Sequence, residues 1–116
     1  MTINFDETEE FLKEFKRLSR KYKSIPDDLS EFKKVVSELP FGSGKHFNVI
    51  TKSEKITIIK ARLFCRYLKG SSLRIIYAFH TEIDKIEFIQ IYSKSVQENE
   101  NRERIKRYLK KFENTN

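Results

Sequence analysis

The stretch that decides the fold is Lys60–Lys94, which reads KARLFCRYLKG (60–70), SSLRIIYAFHTE (71–82) and IDKIEFIQIYSK (83–94). Successive side chains of a half-buried strand point to opposite faces. In the first run Ile59, Ala61, Leu63 and Cys65 point one way, and Ile58, Lys60, Arg62, Phe64 and Arg66 the other. In the second, Leu73, Ile75, Tyr77 and Phe79 oppose Arg74, Ile76, Ala78 and His80. In the third, Glu87, Ile89, Ile91 and Ser93 oppose Ile86, Phe88, Gln90, Tyr92 and Lys94. One register collects Lys60, Arg62, Arg74, His80, Gln90, Tyr92 and Lys94 on a single face and leaves the opposite face almost wholly apolar. Three consecutive antiparallel strands are expected, with a basic, aromatic-bearing working face and a face that carries helices.

Outward from this block, Ile3–Phe5 reads as a short edge strand. A helix follows from Asp6 or Thr8, with Glu7, Glu9 and Glu10 in its first turn, where the helix dipole favours anions. Phe11, Phe15, Leu18 and Tyr22 form its buried stripe. Ser24-Ile25-Pro26 breaks the chain, and Pro26 suits the start of a second helix with Leu29, Phe32, Val36 and Leu39 as its apolar stripe. The short connection makes the two helices an antiparallel hairpin. Gly42 and Gly44 beside Lys45 lack the spacing of a phosphate-binding loop and read as a turn. Phe47–Ile50 fits a short strand or an irregular linker equally well. Gly70-Ser71-Ser72 and Thr81–Lys85 are turns. A helix begins after Gln97, capped by Asn99 or Asn101, with Ile105, Tyr108 or Leu109, and Phe112 as its stripe; Asn114–Asn116 is a fraying tail. The expected fold is α+β, one domain over residues 1–116. An N-terminal helical hairpin packs on one face of a twisted antiparallel sheet of about four strands, followed by a C-terminal helix.

Composition narrows the function. The chain has 116 residues and a formal net charge of +7. Residues 41–95 carry ten Lys/Arg against four Asp/Glu, whereas residues 1–40 carry eight against nine. A basic segment coinciding with the strands favours a polyanionic partner, nucleic acid or an acidic protein. The single cysteine, Cys65, makes no disulfide framework, and a reducing cytoplasm is expected. The acidic start MTINFDETEE has no secretory character, and no run approaches the roughly 20 apolar residues of a membrane span. Two histidines and one cysteine offer no convincing metal-ligand set, so neither metal nor cofactor is expected.

The order strand, helical hairpin, three-stranded sheet, C-terminal helix resembles the RelE/ParE toxin superfamily. FDETEEFLKEFKRLSRKY is similar to the family opening, a short strand running into a Phe- and Lys-bearing helix. IIKARLFC matches the strand with a Lys-x-Arg-type run. SLRIIYAF matches the next, with Arg74 at the family's arginine and Leu73 where a tyrosine is common. IEFIQIYSK matches the last, with Lys94 where the family usually has an arginine. The similarity spans nearly the whole chain.

The resemblance implies the toxin of a type II toxin–antitoxin pair, held inactive by a cognate antitoxin. RelE-like members cleave messenger RNA in the ribosomal A site, without a metal. RNA cleavage by 2′-hydroxyl attack needs a base, a cation for the phosphorane charge and an acid for the leaving oxygen. Arg74 is the expected phosphate clamp, because its planar fork matches phosphate oxygens. Lys60 is a candidate base; Lys94 and His80 complete the catalytic set. Arg62, Arg66, Tyr92 and Gln90 are expected to contact RNA, and ribosomal RNA is a further partner. Where many RelE-type toxins carry a tyrosine after the last strand, this chain reads SVQENENRER, which passes the acid's role to His80 or Tyr92. His46, beside the glycine turn, is a weaker candidate. Two alternatives stand beside this reading: a ParE-like inhibitor of DNA gyrase, and an RNA- or antitoxin-binding module whose catalysis has decayed. The free toxin is expected to be a monomer with no membrane partner. Each candidate also has a plain structural reading: a solvated sheet face for Arg74, Lys60 and Arg62, a surface histidine for His80, and core packing for Tyr77 and Phe79.

Overall fold

The structure, a computed structural model, describes residues 2–68 and 72–113. The elements run β1 (Asn4–Glu7), α1 (Glu9–Lys21), α2 (Ile25–Glu38), β2 (Phe47–Lys52), β3 (Ile56–Phe64), β4 (Ser72–His80), β5 (Lys85–Ser93) and α3 (Arg102–Glu113). The strands form one sheet in the order β1-β5-β4-β3-β2. The α+β architecture is as expected, but the sheet has five strands and is mixed. Phe47–Lys52 is a true strand, antiparallel to β3, and β1 pairs with β5 in parallel. A parallel neighbour needs a long crossover, and everything from α1 to β4 serves as that connection. The proposed turn at Gly70-Ser71 and the tail Asn114–Asn116 lie outside the described residues; Ser72 opens β4.

The hairpin forms as its sequence dictates. Thr8 caps α1, its Oγ1 accepting from the Phe11 N–H at 3.1 Å. Glu9 and Glu10 occupy the first turn, and Arg20 and Lys21 the last, each matching the dipole. Pro26 sits at the start of α2, where its missing N–H costs nothing. The helix ends before Gly42, whose φ of 78° suits glycine alone; a Cβ there would strike the Phe47 ring.

Both faces of the sheet are covered, unequally. The larger core joins Phe11, Leu18, Ile25, Leu29, Phe32 and Val36 of the hairpin to Ile59, Ala61, Leu63, Leu73, Ile75, Tyr77, Phe79, Ile86, Phe88 and Ile91. Cys65 is buried in it and is a free thiol. Tyr77 is fully buried, as expected of a core residue, with its hydroxyl donating to the Pro40 carbonyl at 2.8 Å. The smaller core lies on the opposite face, where Ile105 and Tyr108 of α3 cover Ile56, Ile58, Ile76, Ala78, Ile89 and Tyr92.

One strand departs from strict alternation. The β4–β5 register slips between Ile76, opposite Gln90, and Tyr77, opposite Phe88. Ile89 is thus an extra residue in β5, a β-bulge. Ile86 and Phe88 therefore join Ile91 under the hairpin, while Ile89 shares the α3 face with Gln90 and Tyr92. Uniform alternation from Lys85 to Lys94 had put Ile86 and Phe88 on the basic face; the bulge corrects that.

Candidate functional site

The face away from the hairpin is divided in two by the segment leading into α3. At the Ile56 end of β3 α3 closes it; at the Phe64 end it stays open as a cleft of about 260 Å³, lined by Arg62, Leu68, Ser72, Arg74, Ser93, Lys94 and Ser95. The cleft follows from register. Arg62 and Arg74 are direct cross-strand partners, and Arg74 in turn faces Tyr92. Like charges directly opposite in a sheet are destabilising, so this pair is held at a cost that an anion between the guanidiniums would relieve. Arg74 feels that cost: burial, then the charge of Arg62, pulls its pKa below the ordinary guanidinium value, with only partial relief from Tyr92. Its Nη1 donates to Ser72 Oγ at 2.9 Å, which orients the fork. Lys94 is exposed at the cleft's rim.

Tyr92 stands next in the row. It is buried, and its hydroxyl has no hydrogen-bond partner among the described residues. Burial and then Glu100 push its pKa up to about 12, against the pull of Arg74. The phenol is protonated at neutral pH, and its oxygen is enclosed in the core beneath α3 rather than lining the cleft.

Lys60 emerges on the same side of the sheet as Arg62 and Arg74 but is not free. Its Nζ donates to Glu100 Oε1 at 2.9 Å. Glu100 lies just before α3, is buried, and also takes Arg102 Nη2 at 2.6 Å. Burial opposes its ionisation, yet the Lys60 hydrogen bond, a backbone hydrogen bond and Arg102 together hold its carboxyl below the usual range. One residue on, the Asn101 N–H donates to Gln90 Oε1 at 2.9 Å. Lys60 and Gln90 thus anchor the segment entering α3. Gln90 is buried rather than available on an open surface.

Three candidates are placed elsewhere. His80, far from being a surface histidine, is buried under α3, with Nε2 2.6 Å from Tyr108 Oη and its ring against Phe112. Arg66 leaves the working face where β3 ends, and its Nε lies 3.9 Å from Asp28 of α2. His46 packs its ring perpendicular to Phe64, 5.3 Å away. Glu100 was missed in the sequence because nothing in QENENRER distinguishes one acid from its neighbours. Arg62, Arg74 and Lys94 remain together in the cleft, with Tyr92 buried beside Arg74. Among the described residues no helix is long and apolar enough to cross a membrane.

A helical hairpin on one face of the sheet and a C-terminal helix on the other make up the fold of the solved RelE structures. No known family model matches the sequence, and no curated protein matches it significantly; the likeness is one of structure. The chain is similar to a chain of the archaeal RelE–RelB complex from Pyrococcus horikoshii OT3, with TM-score 0.62 and 17% identity over 81% of this chain and 97% of that one. It is also similar to a double mutant of the E. coli toxin RelE in the free state, with TM-score 0.56 and 21% identity over 84% of this chain and 90% of that one.

Proposed function

We propose that this protein is the toxin of a type II toxin–antitoxin pair and that it cleaves messenger RNA on the ribosome. The observation that carries the reading is the Arg62–Arg74 cross-strand pair, set in an open cleft with Lys94 at its rim. In the reaction the 2′-oxygen attacks phosphorus, the P–O5′ bond breaks, and a 2′,3′-cyclic phosphate remains. The 2′-hydroxyl proton goes to a base, and the departing 5′-oxygen takes another. The two guanidiniums and the Lys94 ammonium suit the charge that builds on the phosphorane, in a site already organised for an anion. The Lys94 ammonium, exposed at the rim, is the proton donor the cleft supplies; the Tyr92 phenol, next to Arg74 in register, is buried off it. Neither cofactor nor metal enters the scheme. The partners are a cognate antitoxin, which keeps the cleft from RNA, and the ribosome with its message; the protein acts in the cytoplasm.

A second reading, binding without cutting, draws on a specific observation. Lys60 is taken by Glu100, and His80 is enclosed by α3, so two of the groups expected to move protons are committed elsewhere. Induced expression in a bacterial host separates the readings. Growth arrest with new message ends, mapped by primer extension, is expected, and Arg74→Ala should lower cleavage about 100-fold and restore growth. Arrest and cutting that survive both Arg74→Ala and Arg62→Ala would remove the cleft from the mechanism. Arrest without cuts would favour the binding module. Double-strand DNA breaks with intact message would favour a gyrase inhibitor.

A further inference from the structure

We propose that Phe64, backed by His46, is a stacking platform for an unpaired nucleobase whose own phosphate sits in the Arg62–Arg74 cleft. This rests on the reading of that cleft as an RNA site and adds the part that would hold the base.

Phe64 is the last residue of β3, two positions after Arg62 and on the same face. It is 61% exposed. A single exposed aromatic needs no explanation; this one is distinguished by what surrounds it. Its direct partner across the ladder is Ser72, the residue that accepts from Arg74 and lines the cleft. Its ring is set by His46, whose plane stands at 87° to it, a favoured aromatic geometry. His46 is itself tied to β3, its carbonyl accepting from the Arg62 N–H at 3.1 Å. The Phe64 ring is therefore prearranged rather than loose, which lowers the entropy lost when something stacks on it.

The spacing fits one nucleotide. Residues two apart on a strand lie roughly 7 Å from each other, about the span from a phosphate to the base it carries. Farther along this face, Ile58, Ile76 and Ala78 are covered by α3; past Arg62 the described part of the face ends in an exposed aromatic. A cation cleft bordered by a fixed, exposed ring is the arrangement by which single strands are held: charge for the backbone, a π-face for any base. Duplex RNA, with its bases already stacked, gains nothing from such a ring.

The test uses the full chain and two probes of equal length, read by fluorescence anisotropy. One is a single-stranded oligoadenosine carrying 2′-O-methyl groups, which 2′-hydroxyl attack cannot cut; the other is its abasic counterpart. The wild type should bind the base-bearing strand about tenfold more tightly than the abasic one. Phe64→Ala should abolish that preference and leave abasic binding unchanged, while Phe64→Tyr should keep it. The platform is refuted if the wild type binds both probes alike or neither measurably. It is equally refuted if Phe64→Ala weakens both to the same degree, as loss of a general docking surface would, or keeps the full preference. Growth arrest is scored separately. Preference without arrest overturns only the toxin reading, and arrest without preference overturns only the platform.

Discussion

At the scale of single residues, the side chains that stabilise the second core are those whose charge state matters most. Tyr108 donates its one proton to Glu87 Oε1 at 2.6 Å, so the 2.6 Å contact with His80 requires a proton on Nε2 of the imidazole. Burial first, then Lys85, lowers the His80 pKa, against the pull of Glu87. A histidine with a depressed native pKa binds fewer protons folded than unfolded, so stability rises with pH across the gap. It should be full above about pH 6.5, fall as pH drops from there to the native value, and level off below it. Urea unfolding from pH 8 to pH 5 should show this slope, at most about 1.4 kcal/mol per pH unit from one group, and His80→Gln should flatten it. No such slope in the wild type would mean His80 ionises freely in the native state. Glu100 works in a lower window. Its depressed pKa contributes stability above the unfolded value of about 4.3, lost as pH falls through the native one.

At the scale of elements, the bulge in β5 explains how α1 and α3 come to be tied together. β1 ends at Glu7, opposite Phe88, while β5 runs on to Ser93 with that edge unpaired. Buried backbone groups need partners, and side chains provide them here. The Ile89 carbonyl accepts from Arg104 Nη1 at 3.0 Å and from Thr8 Oγ1 at 3.4 Å, and the Ile91 N–H donates to Glu14 Oε1 at 3.2 Å. Arg104 closes the set with a two-pronged pair to Glu14 at 2.9 and 2.8 Å. The Glu14 hydrogen bond raises the arginine's pKa despite burial. Arg104→Met leaves the mostly buried Glu14 carboxylate without its counter-charge and should cost about 3 kcal/mol in chemical denaturation. Adding Glu14→Met should recover part of that loss; additive losses would show that the two do not act as a pair. None of this was legible in sequence. The helices showed in their stripes and caps, and β3 and β4 in their alternation, because those signals lie within one element. A bulge shows only as an interruption of period, and IEFIQIYS accommodates both a plain strand and a bulged one. His80 failed for a related reason: its place under α3 depends on where a distant helix lands.

Across the whole molecule, the cation excess becomes a local field only because the fold gathers part of it. Lys60 is neutralised within the structure, and Arg66 and Arg104 face acids on helices. The cleft keeps Arg62, Arg74 and Lys94. If the cleft takes RNA as proposed, three phosphate contacts to a single strand predict a log–log salt slope on the order of −2, and Arg74→Ala should reduce it by about 0.7. A slope several times steeper would mean the RNA path reaches well beyond this cleft, for example onto the basic side of α3. The charge count along the chain placed the positive segment correctly, but only the contacts show which cations are available. The parallel pairing of β1 has its own bearing on how the molecule comes into being. Asn4 bonds in register with Lys85, so β1 waits for a strand made much later in the chain, and long-range closure of this kind is slow. On a translating ribosome β2, β3 and β4 can zip locally, while the hairpin's core lacks Phe88 until late. The growing chain therefore has no finished sheet, and no complete cleft, until β5 and the residues to Ser95 have been made.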